Sequence, residues 1–89
     1  MEVTVEISMY PLREDYEPAI IEFINKIKSV DGVTVKVNPT ATHFFGDYDL
    51  VMETLQKTIK YSFEKYDKVV FAMKVLHGDL EKSLEGKAL

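Results

Sequence analysis

The sequence predicts a single small α+β domain with the element order βαββαβ. Three segments alternate apolar and polar residues, a fourth short segment lies between turn signals, and two longer segments repeat apolar residues every three or four positions. Period two is typical of a strand with one buried face, and a period of about 3.6 is typical of an amphipathic helix. A chain of 89 residues is expected to form one domain.

The first strand is predicted over residues 2–10. Its alternation gives a buried face of Val3, Val5, Ile7 and Met9 and an open face of Glu2, Thr4, Glu6, Ser8 and Tyr10. Pro11 has no amide hydrogen to donate, so we expect it to end the ladder.

Helical stripes predict helices over residues 15–30 and 48–66. Asp15 is a candidate N-cap for the first helix, and Pro18 suits its first turn. Asp31-Gly32 is expected to end that helix in a tight turn. Asp47 is the candidate cap of the second helix. The inner stripe of the second helix is predicted as Met52, Leu55, Ile59, Phe63 and Tyr66.

The remaining strands are predicted over residues 33–38, 41–45 and 68–76. Parity places Thr34, Lys36, Asn38, Val70, Ala72, Lys74 and Leu76 on the open face. In the third strand, Phe44 and Phe45 are adjacent, so one ring points to each face whichever register holds. Residues 77–89 are expected to be a tail with a weak helical segment at most.

Right-handed crossovers join these elements into a ferredoxin-like sandwich, a four-stranded antiparallel sheet with two helices on one face. The other face is expected to stay open and to carry polar groups beside one phenylalanine. An exposed aromatic ring in such surroundings needs a reason. It could stack on a planar ligand, or it could be buried by a second subunit.

Composition excludes several classes of function. The net charge is −4 without a cluster of basic residues, which argues against nucleic-acid binding. The chain has no cysteine, and His43 and His77 lack partners at metal-ligand spacing. No apolar run reaches the ~18 residues that span a membrane, and the N-terminus does not resemble a signal peptide. We therefore expect a cytoplasmic protein without a metal, cofactor or membrane partner.

Three segments in order resemble the Ykof-type thiamine/hydroxymethylpyrimidine-binding family. Residues 7–12, ISMYPL, followed by Asp15-Tyr16, resemble the family's first strand and loop. Thr42 to Gly46, with Asp47 beside it, is similar to the central Thr-x-x-x-Gly strand. Residues 71–79, FAMKVLHGD, are similar to the last strand and its Gly-Asp end.

The resemblance implies a ferredoxin-like fold that binds thiamine or its pyrimidine moiety without catalysis, in thiamine salvage or transport. The namesake members carry two such repeats, whereas this chain has one. A homodimer or homotetramer is therefore expected to replace the tandem pair.

An aminopyrimidine has a flat face for an aromatic ring and an edge of hydrogen-bond donors and acceptors, and a thiazolium ring is a cation that a carboxylate such as Asp79 could accompany. The candidate ligand-binding residues are Glu6, Ser8, Tyr10, Asn38, Thr42, Phe44, Phe45 and Asp47.

Simpler interpretations stay open for several of these residues. Ser8 and Thr42 could be ordinary strand residues, and Tyr10 could be a core or rim residue. The sole role of Glu6 could be a cross-strand ion pair with Lys36 or Lys74. The sole role of Asp47 could be to cap the second helix. For the whole chain, the alternative is a regulatory or oligomerisation module of the ferredoxin or ACT-like type that binds no thiamine. A small enzyme is a third alternative, although nothing beside Ser8 suggests the base that nucleophilic catalysis needs.

Overall fold

The computed structural model describes residues 1–84. Its elements are β1 (Glu2–Pro11), α1 (Glu17–Lys28), β2 (Thr34–Val37), β3 (Thr42–Asp47), α2 (Tyr48–Tyr66), β4 (Val69–His77) and α3 (Leu80–Leu84). The βαββαβ order of the sequence prediction is therefore confirmed. The part of the predicted tail at residues 85–89 lies outside the described residues.

The four strands form one antiparallel sheet in the order β2-β3-β1-β4. β1 lies at the centre, with Val3 opposite Gly46 of β3 and His77 of β4. The sheet order and the two long helices confirm the ferredoxin-like fold.

The core lies between one face of the sheet and the helices α1 and α2. Its buried residues are Val3, Val5 and Ile7 of β1, Phe44 of β3, Phe23 and Ile27 of α1, and Val51 and Leu55 of α2. The β1 residues are those that alternation places on its buried face. The edge strands β2 and β4 contribute only partly buried residues, so the helices cover mainly the centre of the sheet.

The two long helices begin differently. Asp47 caps α2, because its carboxylate accepts a hydrogen bond from the Leu50 amide at 3.4 Å. The predicted cap at Asp15 is wrong: α1 begins at Glu17 after Tyr16, and no side chain caps it. Pro18 in the first turn lacks an amide hydrogen, which leaves one donor fewer for a cap to satisfy.

The buried stripe of α2 differs from the prediction. Phe63 was expected inside but is 48% exposed. The buried side chains are instead Thr54, Thr58 and Ser62, which are spaced four residues apart. Each hydroxyl donates to the carbonyl oxygen four residues earlier, at 2.7 to 3.0 Å. Since their polar atoms are satisfied within the helix, these small side chains can face the core.

The open face of the sheet is partly covered, which corrects the prediction that it stays open. α3 packs over its β1–β4 end, where the Leu80 amide donates to Thr4 Oγ1 at 2.9 Å. The same hydroxyl donates to the Gly78 carbonyl oxygen at 2.8 Å. Thr4 is therefore buried although its parity is that of the open face.

A charged cluster on the outside of the helix layer joins α1 to α2. The Glu22 carboxylate accepts hydrogen bonds from Lys65 Nζ at 2.9 Å and from Tyr66 Oη at 2.8 Å. These hydrogen bonds, from Lys65 first and Tyr66 second, hold the pKa of Glu22 below its usual value. The Glu22 side chain keeps 28% of its surface exposed, so solvent screens the pair only partly.

We expect Glu22→Gln to lower the free energy of unfolding at pH 7 by roughly 1 kcal/mol. Because folding lowers the pKa of Glu22, its stabilisation is present above the unfolded pKa and is lost as pH falls through the folded pKa. Urea unfolding from pH 7 to pH 3 should therefore show the two proteins converging in acid. Glu53→Gln is the matched control, since its pair with Lys57 lies within α2 and links no two elements. An equal loss in both variants at pH 7 would contradict the prediction.

Candidate functional site

One row of side chains crosses the open face of the sheet, with one residue from each strand. Lys36 of β2 lies opposite His43 of β3, His43 lies opposite Glu6 of β1, and Glu6 lies opposite Lys74 of β4. Alternation places all four side chains on the same side of the sheet. We call Lys36, His43, Glu6 and Lys74 the charged row.

The centre of this row is a hydrogen-bonded chain of three side chains. Asn38 Nδ2 lies 2.7 Å from His43 Nδ1, and His43 Nε2 lies 3.1 Å from Glu6 Oε2. The amide donates to Nδ1, so the imidazole carries its hydrogen on Nε2 and donates it to the carboxylate. Both ring nitrogens therefore have partners, and the orientation of the imidazole is set from two sides.

These residues lie on the floor of a cleft of about 770 Å³, which we call the face cleft. α3 forms one wall, and the sheet forms the base. The lining residues are Thr4, Glu6, Lys36, Asn38, His43, Phe45, Lys74, Leu76, Leu80 and Glu81. The volume is in the range of small-molecule sites.

The charges of the face cleft are balanced. Lys74 Nζ lies 3.5 Å from Glu6 Oε1, and Lys36 Nζ lies 3.4 Å from Glu81 Oε2. The simpler interpretation of Glu6, a cross-strand pair with a lysine, is thus seen with Lys74. Glu6 still keeps 36% of its side chain exposed and His43 keeps 27%, so both can contact a molecule in the cleft.

The two adjacent phenylalanines point to opposite faces, as expected, and the structure decides which is which. Phe45 lines the face cleft, where its ring lies 6.3 Å from that of His43 at an interplanar angle of 20°. Phe44 lies in the core with no exposed surface, against Phe23. Phe44 therefore presents no surface to a molecule on the open face. Phe45 is only 6% exposed, so little of its ring can contact a molecule in the cleft.

Three other candidate residues, Ser8, Tyr10 and Thr42, lie apart from the face cleft. They line a second cleft of about 870 Å³ between α1 and the β2–β3 loop, which we call the end cleft. Thr42 is buried and shares the core-facing parity of Phe44, so it does not lie on the open face. Ser8 Oγ donates to the Thr40 carbonyl oxygen at 3.0 Å. Asn38 lines both clefts.

Asp47 lines neither cleft. It lies opposite Glu2 at the far end of β3 from Thr42. The Leu50 amide first, and the N-terminal ammonium second, hold the pKa of Asp47 below its usual value. The structural role of Asp47 is therefore that of the N-cap of α2.

Sequence reasoning did not select His43, the central residue of this hydrogen-bonded chain. The sequence held only part of the signal: His43 shares a face with Phe45, two residues later, but no local pattern shows which of Phe44 and Phe45 lies on the open face. Its partners could not be seen, since Glu6 and Asn38 come from two other segments of the chain.

Within residues 1–84, no group of three histidine or acidic side chains is placed to hold a metal ion. In the same range, no helix combines the length and hydropathy needed to cross a bilayer.

Solved structures share this fold. A Streptococcus pneumoniae protein matches with a TM-score of 0.83 and 22% identity, over 96% of this chain and 99% of its own. A Thermotoga maritima protein described as a candidate thiamine biosynthesis or salvage protein matches with a TM-score of 0.81 and 23% identity, over 94% and 96% of the two chains. A Methanocaldococcus jannascii hypothetical protein matches with a TM-score of 0.79 and 22% identity, over 93% and 92%. At these identities the likeness establishes the fold.

The sequence itself matches one family profile. The profile describes a thiamine-binding protein and covers residues 5–88. No curated protein matches the sequence.

Proposed function

Because the chain belongs to the thiamine-binding protein family, we propose that it binds thiamine or hydroxymethylpyrimidine on the sheet face of a homo-oligomer and does no chemistry on it. The proposed role is in thiamine salvage or transport. The observation that carries the proposal is the Asn38–His43–Glu6 chain on the floor of the face cleft. It gives the cleft a set of oriented polar groups beside an aromatic ring.

An aminopyrimidine suits these groups. Its amino group is a donor that the exposed carboxylate of Glu6 can accept, and its ring nitrogens are acceptors for a donor such as the Asn38 amide. The pyrimidine can pack against the partly exposed imidazole of His43, which lies nearly parallel to the ring of Phe45. The carboxylate of Glu6 also suits the thiazolium cation of thiamine. Each such contact contributes on the order of 1 kcal/mol.

The arrangement favours binding over catalysis. Both nitrogens of His43 are engaged, one by Asn38 and one by Glu6. An imidazole held in this way positions the carboxylate and shapes the cleft, whereas a general base needs a nitrogen directed at the substrate.

Thermal melting with and without ligand tests the proposal. Thiamine and hydroxymethylpyrimidine, each at 100 times its dissociation constant, should stabilise the folded protein by about 2.7 kcal/mol. The ligand that gives the larger shift at equal concentration is the preferred one. Absence of a shift with either compound at millimolar concentration would rule out the proposed function.

Variants locate the site. Glu6→Gln and Asn38→Ala should each abolish most of the ligand-induced shift while the unliganded protein still melts cooperatively. Glu53→Gln changes a carboxylate on the exposed surface of α2 and should leave the ligand-induced shift unchanged. Ser8→Ala tests the end cleft. A shift lost only in Ser8→Ala would move the site from the face cleft to the end cleft.

A further inference from the structure

The side-chain amide of Asn38 is oriented by His43. The turn between β2 and β3 fixes the Asn38 backbone, since its N–H donates to the Ala41 carbonyl oxygen at 2.9 Å. In the side chain, Nδ2 donates to His43 Nδ1 at 2.7 Å. Within residues 1–84 this is the one side-chain hydrogen bond of Asn38, so its Oδ1 oxygen and its second amide hydrogen remain for a molecule in the face cleft.

Glu6 holds the opposite side of the imidazole. Its Oε2 lies 3.1 Å from His43 Nε2, and its Oε1 lies 3.5 Å from Lys74 Nζ. An ionised carboxylate can only accept hydrogen bonds, so Nε2 carries a hydrogen in both charge states of the ring. A proton taken up by His43 therefore goes to Nδ1, the nitrogen that faces Asn38.

A proton on Nδ1 turns the matched contact with Asn38 into a meeting of two donors. Both nitrogens of a protonated imidazole are donors, and Nδ2 of an amide cannot accept. Rotation of the amide by about 180° about its last torsion, which is soft and roughly two-fold, puts Oδ1 in the place of Nδ2 and restores the hydrogen bond. The Asn38 backbone keeps its position.

We propose that His43 is a positioning residue that makes the face cleft sensitive to protons. A neutral imidazole leaves Asn38 Oδ1 free to accept, and a protonated one takes Oδ1 and leaves the amide hydrogens. The inference rests on the proposed function for its ligand, whereas the reversal of the amide needs none. Histidine is the side-chain type that normally changes charge between pH 5 and 8, so mild acidification is the signal.

The neutral state matches an aminopyrimidine. The amino group of such a ring donates and the adjacent ring nitrogen accepts, and an asparagine amide can bind this pair with its oxygen and one N–H, as it binds adenine. After the reversal, Oδ1 is held by His43 and the amide offers only donors. The amino group then loses its acceptor on Asn38, so we expect acid to weaken the binding of an aminopyrimidine.

The charges around His43 act in the same direction. The charged side chains that line the cleft come from the other strands and from α3, and they are Glu6, Lys36, Lys74 and Glu81. They form two pairs of opposite sign, Glu6 with Lys74 and Lys36 with Glu81. Protonation of His43 adds a positive charge beside Glu6, where it competes with a thiazolium cation. Thiamine should therefore lose more affinity in acid than hydroxymethylpyrimidine.

The first test follows the unliganded chain by ¹⁵N NMR from pH 8 to pH 5. At pH 8, His43 should carry its hydrogen on Nε2, and on acidification the side-chain amide signals of Asn38 should shift with the same midpoint as the His43 ring. Asn25, exposed on α1, is the matched control and should not follow this titration. The Asn38 titration should vanish in His43→Gln and persist in His77→Gln. An Asn38 amide that does not titrate with His43 would overturn the proposal.

The second test measures the binding of hydroxymethylpyrimidine by calorimetry at pH 7.5 and pH 5.5. The ligand can itself take up a proton in acid, so His43→Gln, whose side chain does not titrate, supplies the reference. The wild-type chain should lose roughly tenfold more affinity than this variant, the effect of replacing a matched hydrogen bond by an unmatched one. Equal losses in the two chains would overturn the proposal. If His43→Gln fails to fold, the NMR titration of the wild-type chain decides.

The two tests separate this inference from the proposed function. If hydroxymethylpyrimidine and thiamine bind at neither pH, the proposed function fails and takes the ligand part of the inference with it, while the NMR titration still decides the reversal of the amide. If both compounds bind and the Asn38 amide does not titrate with His43, only the proton-sensitive positioning is overturned.

Discussion

Phe44→Ala is expected to lower the free energy of unfolding by about 3–5 kcal/mol, the range for truncating a fully buried phenylalanine. Phe44 has no exposed surface and lies in the core between β1, α1 and α2. Its removal leaves a cavity against Phe23, whose ring centroid is 6.2 Å away. Since small domains have only about 5–15 kcal/mol of stability, the variant should be marginal. Urea unfolding measures the loss, and Phe44→Leu should lose clearly less.

The neighbouring substitution, Phe45→Ala, provides the comparison. Phe45 is also largely buried, but it lies on the face-cleft side beside His43 and has only the short α3 above the sheet. We expect a smaller loss, about 1–3 kcal/mol, because this site can collapse more easily. We also expect weaker stabilisation by thiamine or hydroxymethylpyrimidine. If Phe45→Ala costs more stability than Phe44→Ala, the assignment of the two faces is wrong.

Gly46→Ala is expected to destabilise the protein by about 2–3 kcal/mol through overpacking. A methyl group at this position would lie 2.7 Å from the Gly32 carbonyl oxygen and 3.2 Å from Val51 Cγ2. The first contact is with backbone, in the turn that follows α1, so it cannot be relieved by a side-chain rotation. The glycine of the Thr-x-x-x-Gly segment is thus explained by close approach of two chain segments. Thermal or urea unfolding of the purified variant measures the effect.

Gly78→Ala is the matched control for this prediction. Gly78 has a positive φ of 93°, but no atom lies within 4 Å of an added methyl group. Only backbone strain remains, which costs roughly 1–2 kcal/mol. A larger loss in Gly78→Ala than in Gly46→Ala would contradict the steric explanation. Val51→Ala combined with Gly46→Ala should not restore stability, since the Gly32 oxygen stays in place.

Local patterns were sufficient for the elements and for much of the core. Val3, Val5 and Ile7 were predicted from alternation alone and are buried, because a strand's side chains must alternate between faces. α2 was harder. Hydrophobicity selected Phe63 for its inner face, whereas Thr58 and Ser62 lie inside and satisfy their hydroxyls on the helix backbone. A pattern of apolar residues cannot detect polar side chains whose partners are in their own helix.

The candidate site was predicted only in part. Glu6 and Asn38 were selected by parity, and they meet in one hydrogen-bonded chain. His43 was missed, and Ser8, Tyr10 and Thr42 line a different cleft. The reason is that parity gives the face of a residue but not its position along the sheet. That position depends on the register between strands that are distant in the sequence.

By itself, the sequence determined the order of the elements and the polar character of the sheet's outer face, since both follow from short-range periodicity. Only the tertiary structure decided which phenylalanine lies on that face, where α3 packs, and that Glu6, His43 and Asn38 form one chain. These features depend on contacts between residues up to 80 positions apart. Such contacts are set by strand pairing and packing, and no local pattern contains them.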